Sequence, residues 1–184
     1  VQKIVMGYSE SLVLNNDGTY YTFGTRHVLP NNQTEPSINS DLGLSVRDAD
    51  IDYSHAIFLT QDGKVLEQDS KGVSKAALRE GNVSSVACGN GFSLAVLGDG
   101  YGEQKVVVWP TSKAAHWSVF CSEEVPSGPV EIKGLSELIQ RDNTKVKKLK
   151  VVDNSIAVLL ENGVLAVWGN NKTGNLGVPR SILL

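Results

Sequence analysis

Three histidines, one glycine-rich segment and two cysteines are the residues of this chain with the clearest chemical potential. The histidines, His27, His55 and His116, are not accompanied by a Gly-x-Ser-x-Gly nucleophile motif or by paired metal-ligand spacing. The segment Gly98–Gly102 lacks the lysine, the hydroxyl residue and the following helix of a phosphate-binding loop, so a wide hairpin turn is favoured. These patterns predict a protein that is not an enzyme and that holds no metal ion or cofactor.

The two cysteines, Cys88 and Cys121, do not have the spacing of a metal or redox motif. Cys88 lies in an apolar run, which predicts a buried thiol. Hydrophobic residues make up 41% of the chain and charged residues 20%, a composition typical of a globular domain with a core.

The charge balance and the hydropathy narrow the choice of partners. The chain has 17 basic and 20 acidic residues, a net charge of −3, so we expect no nucleic-acid binding, which needs a surplus of cations. No stretch has the pattern of a transmembrane span or a signal peptide, which predicts no membrane insertion and a cytoplasmic or other intracellular location. The basic run Lys145–Lys150 alternates with Val146 and Leu149, and this indicates one solvated face of a strand or, alternatively, a site for an anion or an acidic partner.

An internal repeat organises the chain. Four twelve-residue stretches each place Asp or Asn before a final glycine, after a short apolar run; they are Gly7–Gly18, Asp52–Gly63, Gly89–Gly100 and Val152–Gly163. The Asp-Gly and Asn-Gly pairs predict tight type I′ hairpin turns, each followed by a second strand. A further strand is predicted to enter each hairpin, at Val1–Met6, Val46–Ile51, Val83–Cys88 and Val146–Val151. Each repeat is therefore predicted to form a unit of at least three antiparallel strands.

The repeat spacing predicts an all-β fold built of β-propeller blades, because blades recur roughly every 40 to 50 residues. We expect one domain over residues 1–184, with repeats at about 1–45, 46–82, 83–145 and 146–184 and an insertion at 109–144 in the third. Within the insertion, Glu137–Asp142 has the pattern of one short helical turn. Four blades form either a small ring or an arc of a larger propeller, closed by the chain itself, by a second copy or by another chain.

The two ends of the chain carry a more specific pattern. One motif is obtained when the end of the sequence is joined to its beginning. Its parts, in order, are Trp168-Gly-Asn-Asn, the Gly-Asn-Leu-Gly that ends at Gly177, Pro179 and the opening Val1–Gly7. This motif resembles the repeat of the regulator of chromosome condensation family. The resemblance implies propeller blades and a structural histidine at His55 that hydrogen-bonds a neighbouring blade. It also implies protein binding, since similar propellers include an exchange factor and an enzyme inhibitor.

The loops that precede the repeated strands are the predicted contact surface, because equivalent positions of stacked blades lie at equal height. Aromatic rings in these loops would supply interface anchors, or would instead pack beneath neighbouring loops. The candidate protein-binding residues are Tyr8, Ser9, Glu10, Tyr53, Ser54, His55, Asn90, Phe92, Asp153 and Asn154, together with Trp117 in the insertion. The predicted function is a scaffold or assembly subunit that binds proteins, and the alternative is a regulator or inhibitor that caps a partner.

Overall fold

The computed structural model describes residues 1–24, 33–38, 45–69, 72–75, 78, 82–98, 103–111, 126–152, 154–172, 174, 176 and 177. These residues form four antiparallel sheets, in which strands adjacent in sequence pair with one another. The prediction of an all-β fold made of propeller blades is confirmed, and the arrangement is that of a partial propeller.

The strands of each sheet follow one another in the chain. The first sheet contains β1 (Lys3–Met6), β2 (Glu10–Leu14), β3 (Tyr20–Gly24) and β4 (Gln33–Ile38). The second contains β5 (Val46–Ile51), β6 (Ala56–Thr60), β7 (Val65–Asp69) and β8 (Gly72–Lys75). The third contains β9 (Val83–Gly89), β10 (Phe92–Leu97), β11 (Lys105–Pro110) and β12 (Val130–Glu131). The fourth contains β13 (Val146–Val152), β14 (Ser155–Leu160) and β15 (Leu165–Gly169). The predicted division of the chain into four repeats within one domain stays a prediction.

The hairpin turns differ from the predicted type. The amide of Gly18 donates a hydrogen bond to the carbonyl of Asn15, and the amide of Gly63 donates one to the carbonyl of Thr60. Among the described residues other than glycine, only Asn143 has a positive φ, so the residue before each described turn glycine has a negative one. A type I′ turn needs positive φ at both central residues, so that prediction is wrong for the turns that end at Gly18, Gly63 and Gly163, while the turn at Gly100 lies outside the described residues. The observed pattern is a three-residue loop, in which a type I turn is followed by a left-handed glycine, here with φ of 85° at Gly18 and 83° at Gly63.

The helix α1 (Lys133–Arg141) follows β12 within the predicted insertion. It begins four residues before the short turn predicted at Glu137–Asp142, because Leu135 and Ile139 lie one turn apart and are both buried. These two side chains belong to the same core cluster as residues of the third and fourth sheets. The helix therefore packs against the sheets. No described helix is long and apolar enough to cross a membrane.

The sheets pack face to face in chain order, and three hydrophobic clusters fill the spaces between neighbours. One cluster joins the first sheet to the second, another the second to the third, and the last the third to the fourth. The described residues show no comparable packing of the fourth sheet against the first. The outer faces of the two end sheets are correspondingly exposed, as Ile4 at 62% and Leu165 at 60% illustrate.

Candidate functional site

The first strands of all four sheets end at one cavity of about 660 Å³. Each sheet contributes the end of its first strand or the residues just after it, and the lining residues are Met6, Gly7, Tyr8, Asp50, Ile51, Asp52, Tyr53, Asn90, Lys150, Val151 and Val152. Tyr8, Tyr53 and Asn90 are thus brought together from three different sheets. This convergence follows from the repeat, because equivalent positions of stacked blades lie at the same height along the axis of the propeller.

Two tyrosines form the most prominent feature of the cavity rim. The rings of Tyr8 and Tyr53 meet edge to face, with centroids 5.5 Å apart and an interplanar angle of 77°. Tyr8 is 81% exposed and Tyr53 is 53% exposed, and the neighbouring Met6 and Val152 are also exposed. Exposed aromatic and apolar side chains gathered on one face are typical of a protein-interaction surface.

Charged side chains lie deeper in the cavity. Asp50 is 5% exposed and its carboxylate accepts the backbone amide of Cys88 at 3.1 Å. Burial raises the pKa of Asp50, and the positive charges of Lys3 and Lys150 oppose this rise.

Burial also raises the pKa of the Cys88 thiol well above its usual value, so this buried cysteine stays protonated and unreactive. The described residues contain no cluster of side chains suited to hold a metal ion.

His55 sits beneath the rim in a directional chain of hydrogen bonds between the second and third sheets. Its Nε2 lies 2.8 Å from Ser93 Oγ, and Ser93 Oγ donates to Glu67 Oε1 at 2.7 Å. Because the Ser93 hydroxyl donates to Glu67, it accepts from His55, which places the imidazole proton on Nε2. His55 Nδ1 then accepts from Ser54 Oγ at 3.0 Å, and Trp109 Nε1 donates to Glu67 Oε1 at 2.8 Å.

This arrangement holds two blades together. His55 is 2% exposed and Ser93 is fully buried, so no substrate reaches the serine hydroxyl. Burial lowers the pKa of His55 to about 4, and the charge of Asp69 opposes this change, so the imidazole is neutral near pH 7. The sequence-based expectation of a structural histidine that bonds a neighbouring blade is confirmed by the bond to Ser93.

Several other predicted contact residues are buried, which corrects their assignment to the surface. Glu10 is 6% exposed, Phe92 is 1% and Asn154 is 7%. Glu10 and Phe92 occupy the same repeat position as His55, directly before or at the start of the second strand, where the side chain turns inward. Ser9 and Ser54 are half-buried beside the tyrosines. Asp153 and Trp117 lie outside the described residues.

Asp48 is a residue beside the cavity whose role in connecting the blades the sequence reasoning missed. Its Oδ1 pairs with Lys3 Nζ of the first sheet at 2.7 Å, while its Oδ2 accepts Ser85 Oγ at 2.8 Å and the amide of Val86 at 3.0 Å, both in the third sheet. One carboxylate thus connects three blades at their inner strands. The only sequence signal is the acidic alternation of Asp48 and Asp50 within β5 and Asp52 just after it.

Replacing Asp48 with alanine is expected to lower the free energy of unfolding by about 3 kcal/mol, because it leaves the buried amide of Val86 unpaired and removes three other hydrogen bonds. Asp62→Ala is the matched control, since its ion pair with Lys64 is at the surface, with both side chains more than half exposed. Urea unfolding of both variants measures the difference. Equal losses would show that Asp48 does not connect the blades.

Comparison with solved structures identifies the architecture. Human WBSCR16 aligns with a TM-score of 0.72 at 21% identity, over 97% of this chain and 50% of that one. Yeast RCC1 (Prp20), solved with Kap60, aligns with a TM-score of 0.68 at 16% identity, over 97% of this chain and 45% of that one. The fold is that of an RCC1-type β-propeller. No family model and no curated protein matches the sequence.

The lengths of the RCC1-type structures show how much of a propeller is present. The chain spans about half the length of these solved structures. The computationally designed Ika4 protein is similar in length, with 90% of this chain and 88% of that one covered, yet its TM-score is only 0.50 at 12% identity. The better fit to half of a larger RCC1-type chain agrees with the exposed outer faces of the two end sheets.

Proposed function

We propose that this chain is the protein-binding part of a propeller that acts as a scaffold or assembly subunit without catalysing a reaction. The observation that carries this proposal is the edge-to-face pair of Tyr8 and Tyr53 on the rim of a cavity to which all four sheets contribute. Tyrosine supplies large contact area and loses little conformational entropy on binding, which makes an exposed tyrosine pair a suitable anchor.

The RCC1-type neighbours support protein binding as the general role. Yeast RCC1 has been solved bound to Kap60, and Prp20p from Saccharomyces cerevisiae is described together with its binding to Gsp1p and histones. Those partners belong to those proteins. For this chain we propose a protein partner whose apolar or aromatic side chains contact the two tyrosines.

The double substitution Tyr8→Ala and Tyr53→Ala is expected to weaken partner capture at least thirtyfold, because truncation of a single interface anchor typically costs about 2 kcal/mol. The tagged chain would be incubated with host extract and the captured proteins quantified by mass spectrometry. Val164→Ala is the matched control, because Val164 is 39% exposed and lies at the hairpin ends opposite the cavity. Circular dichroism would verify that both variants are folded. Undiminished capture by the folded double variant would contradict the proposal.

A further inference from the structure

Two carboxylates and two aromatic rings line the same cavity. Asp50 lies in β5 and Asp52 directly follows that strand, and both line the cavity together with Tyr8 and Tyr53. Asp50 is 5% exposed and Asp52 is half-buried, so neither carboxylate is fully surrounded by water. A charge in such surroundings attracts an ion of opposite sign more strongly than a charge at the surface does. The cavity therefore offers negative charge next to aromatic surface.

The position of this acidic pair does not depend on the outer faces of the end sheets. The second sheet packs between the first and the third, and hydrophobic clusters fill both spaces. Asp50 accepts the amide of Cys88 in the third sheet, while Tyr53, next to Asp52, contacts Tyr8 of the first sheet. The two carboxylates and the two rings are thus held by contacts within three consecutive blades.

Lys150 is the lining residue that carries a positive charge. It belongs to the fourth sheet, is half-buried, and opposes the rise in the pKa of Asp50 that burial causes. The other cation that acts on Asp50 is Lys3, and its ammonium group already pairs with Asp48 at 2.7 Å. When both lining carboxylates are ionised, the lining residues carry two negative charges and one positive charge, which leaves one negative charge for a further cation to balance.

The buried thiol of Cys88 indicates the sign of the potential beside the cavity. Burial is the main cause of its raised pKa, and the negative charges of Asp50, Asp52 and Glu67 raise it further, while Lys3 opposes them. The acidic groups therefore outweigh the basic one at this point. A cation that enters the cavity from solvent would be stabilised by the same charges.

Arginine is the cation that matches this combination of groups. Its planar guanidinium stacks on aromatic rings and forms paired hydrogen bonds with carboxylates, whereas the ammonium group of lysine is a compact and strongly hydrated charge. The cavity volume of about 660 Å³ admits a long side chain, since cavities that bind small molecules have roughly 300 to 1,000 Å³. The described residues contain no cluster suited to a metal ion, which would be the competing cation.

We propose that the cavity receives an arginine side chain of the partner protein, whose guanidinium group pairs with Asp50 and Asp52 and stacks against the rings of Tyr8 and Tyr53. This inference rests on the proposed protein-binding function and adds the chemical class of the group that is bound. The rings supply contact area, and the carboxylates select a positive charge. A neutral side chain of the same shape would make the ring contacts without the ion pairs.

The test uses small probes of defined charge, so the partner need not be known. N-acetyl-arginine methylamide would be titrated into the isotope-labelled chain, and the amide resonances of Tyr53 and Cys88 would be followed by NMR. We expect saturable shifts of both resonances at millimolar concentrations of this probe. N-acetyl-citrulline methylamide is the matched control, because it has nearly the same shape without the charge, and it should bind about tenfold more weakly.

Variants of the two carboxylates locate the bound guanidinium. Asp50→Asn and Asp52→Asn each remove one negative charge at nearly constant volume, and the asparagine at position 50 keeps an oxygen that can accept the amide of Cys88. Each variant should bind the arginine probe about tenfold more weakly than the wild type. Glu161→Gln is the matched control, because Glu161 is exposed in the turn between β14 and β15, opposite the cavity, and it should leave binding of the probe unchanged.

Several outcomes would overturn this inference. Equal binding of the arginine and citrulline probes, or no binding of the arginine probe by the wild type, would show that the cavity does not select a guanidinium group. Tighter binding of N-acetyl-glutamate methylamide would show that Lys150 determines the sign of the ligand. The two proposals fail separately, because capture from host extract that is lost in Tyr8→Ala with Tyr53→Ala but kept in Asp52→Asn would support protein binding and contradict the bound arginine.

Discussion

Replacing Gly24 or Gly169 with alanine is expected to lower the free energy of unfolding by more than about 3 kcal/mol. Both glycines end the third strand of their sheet with nearly the same positive φ, 120° and 119°. A Cβ atom at Gly24 would overlap the carbonyl oxygen of Ser9, and one at Gly169 would overlap that of Asn154. Each of these glycines, which follow Phe23 and Trp168, is thus required because the backbone of the rim loop passes directly against it.

Gly63→Ala and Gly163→Ala are the matched controls for this prediction. These turn glycines also have positive φ, 83° and 88°, but a Cβ atom there would meet nothing within 4 Å. They should lose only about 1 to 2 kcal/mol, the cost of a left-handed conformation for a residue with a side chain. Urea unfolding of the four variants gives the comparison. Equal losses at all four positions would show that the rim loops do not pack against Gly24 and Gly169.

Acidification is expected to weaken the protein through His55. Its pKa is about 4 in the folded protein and 6.5 for an ordinary histidine, so between these values the unfolded chain binds a proton that the folded chain does not. The free energy of unfolding should therefore fall by about 3 kcal/mol as the pH is lowered from 6.5 to 4. Above pH 6.5 the contribution of the neutral imidazole to the free energy of unfolding is fully present and no longer changes with pH.

Two buried carboxyl groups act in the opposite direction. Burial raises the pKa of Glu67 and of Asp50, so their contribution to stability is greatest at low pH and is lost as the pH rises through their folded pKa values. His55→Gln keeps a polar side chain near Ser93 and removes the titration, and it should flatten the pH dependence between 6.5 and 4. Glu67→Gln is the control, and it should leave the histidine contribution in place. An unchanged profile in His55→Gln would contradict the assignment.

The repeat predicted most of the fold because each blade is a local structure. The bounds of β5 agree with the predicted strand Val46–Ile51, and the turn glycines of the described hairpins have positive φ. The turn type was wrong because Asp-Gly occurs in both two-residue and three-residue loops. The helix was predicted too short because its first turn is held by the packing of Leu135 against the third and fourth sheets, a contact that the local sequence does not show.

The candidate site was only partly predictable. The rim position was recognised at Tyr8 and Tyr53, but the buried Phe92 was placed with them because the sequence does not show which loop residue turns inward. Asp48 and Glu67 were missed because a charged residue in a strand usually faces solvent. In a propeller both faces of a sheet are covered, so a carboxylate on either face can bond the next blade. This information lies in the packing of the blades and not in any single repeat.

Site-specific photo-crosslinking tests the proposed binding face most directly. A photoreactive phenylalanine analogue would replace Tyr8 or Tyr53 on the rim, or Val164 at the opposite end of the blades, and the chain would be irradiated in host extract. The account predicts that one and the same partner protein is crosslinked from Tyr8 and from Tyr53, and that Val164 yields no crosslink to it. Crosslinks to that partner from Val164, with none from either tyrosine position, would contradict it.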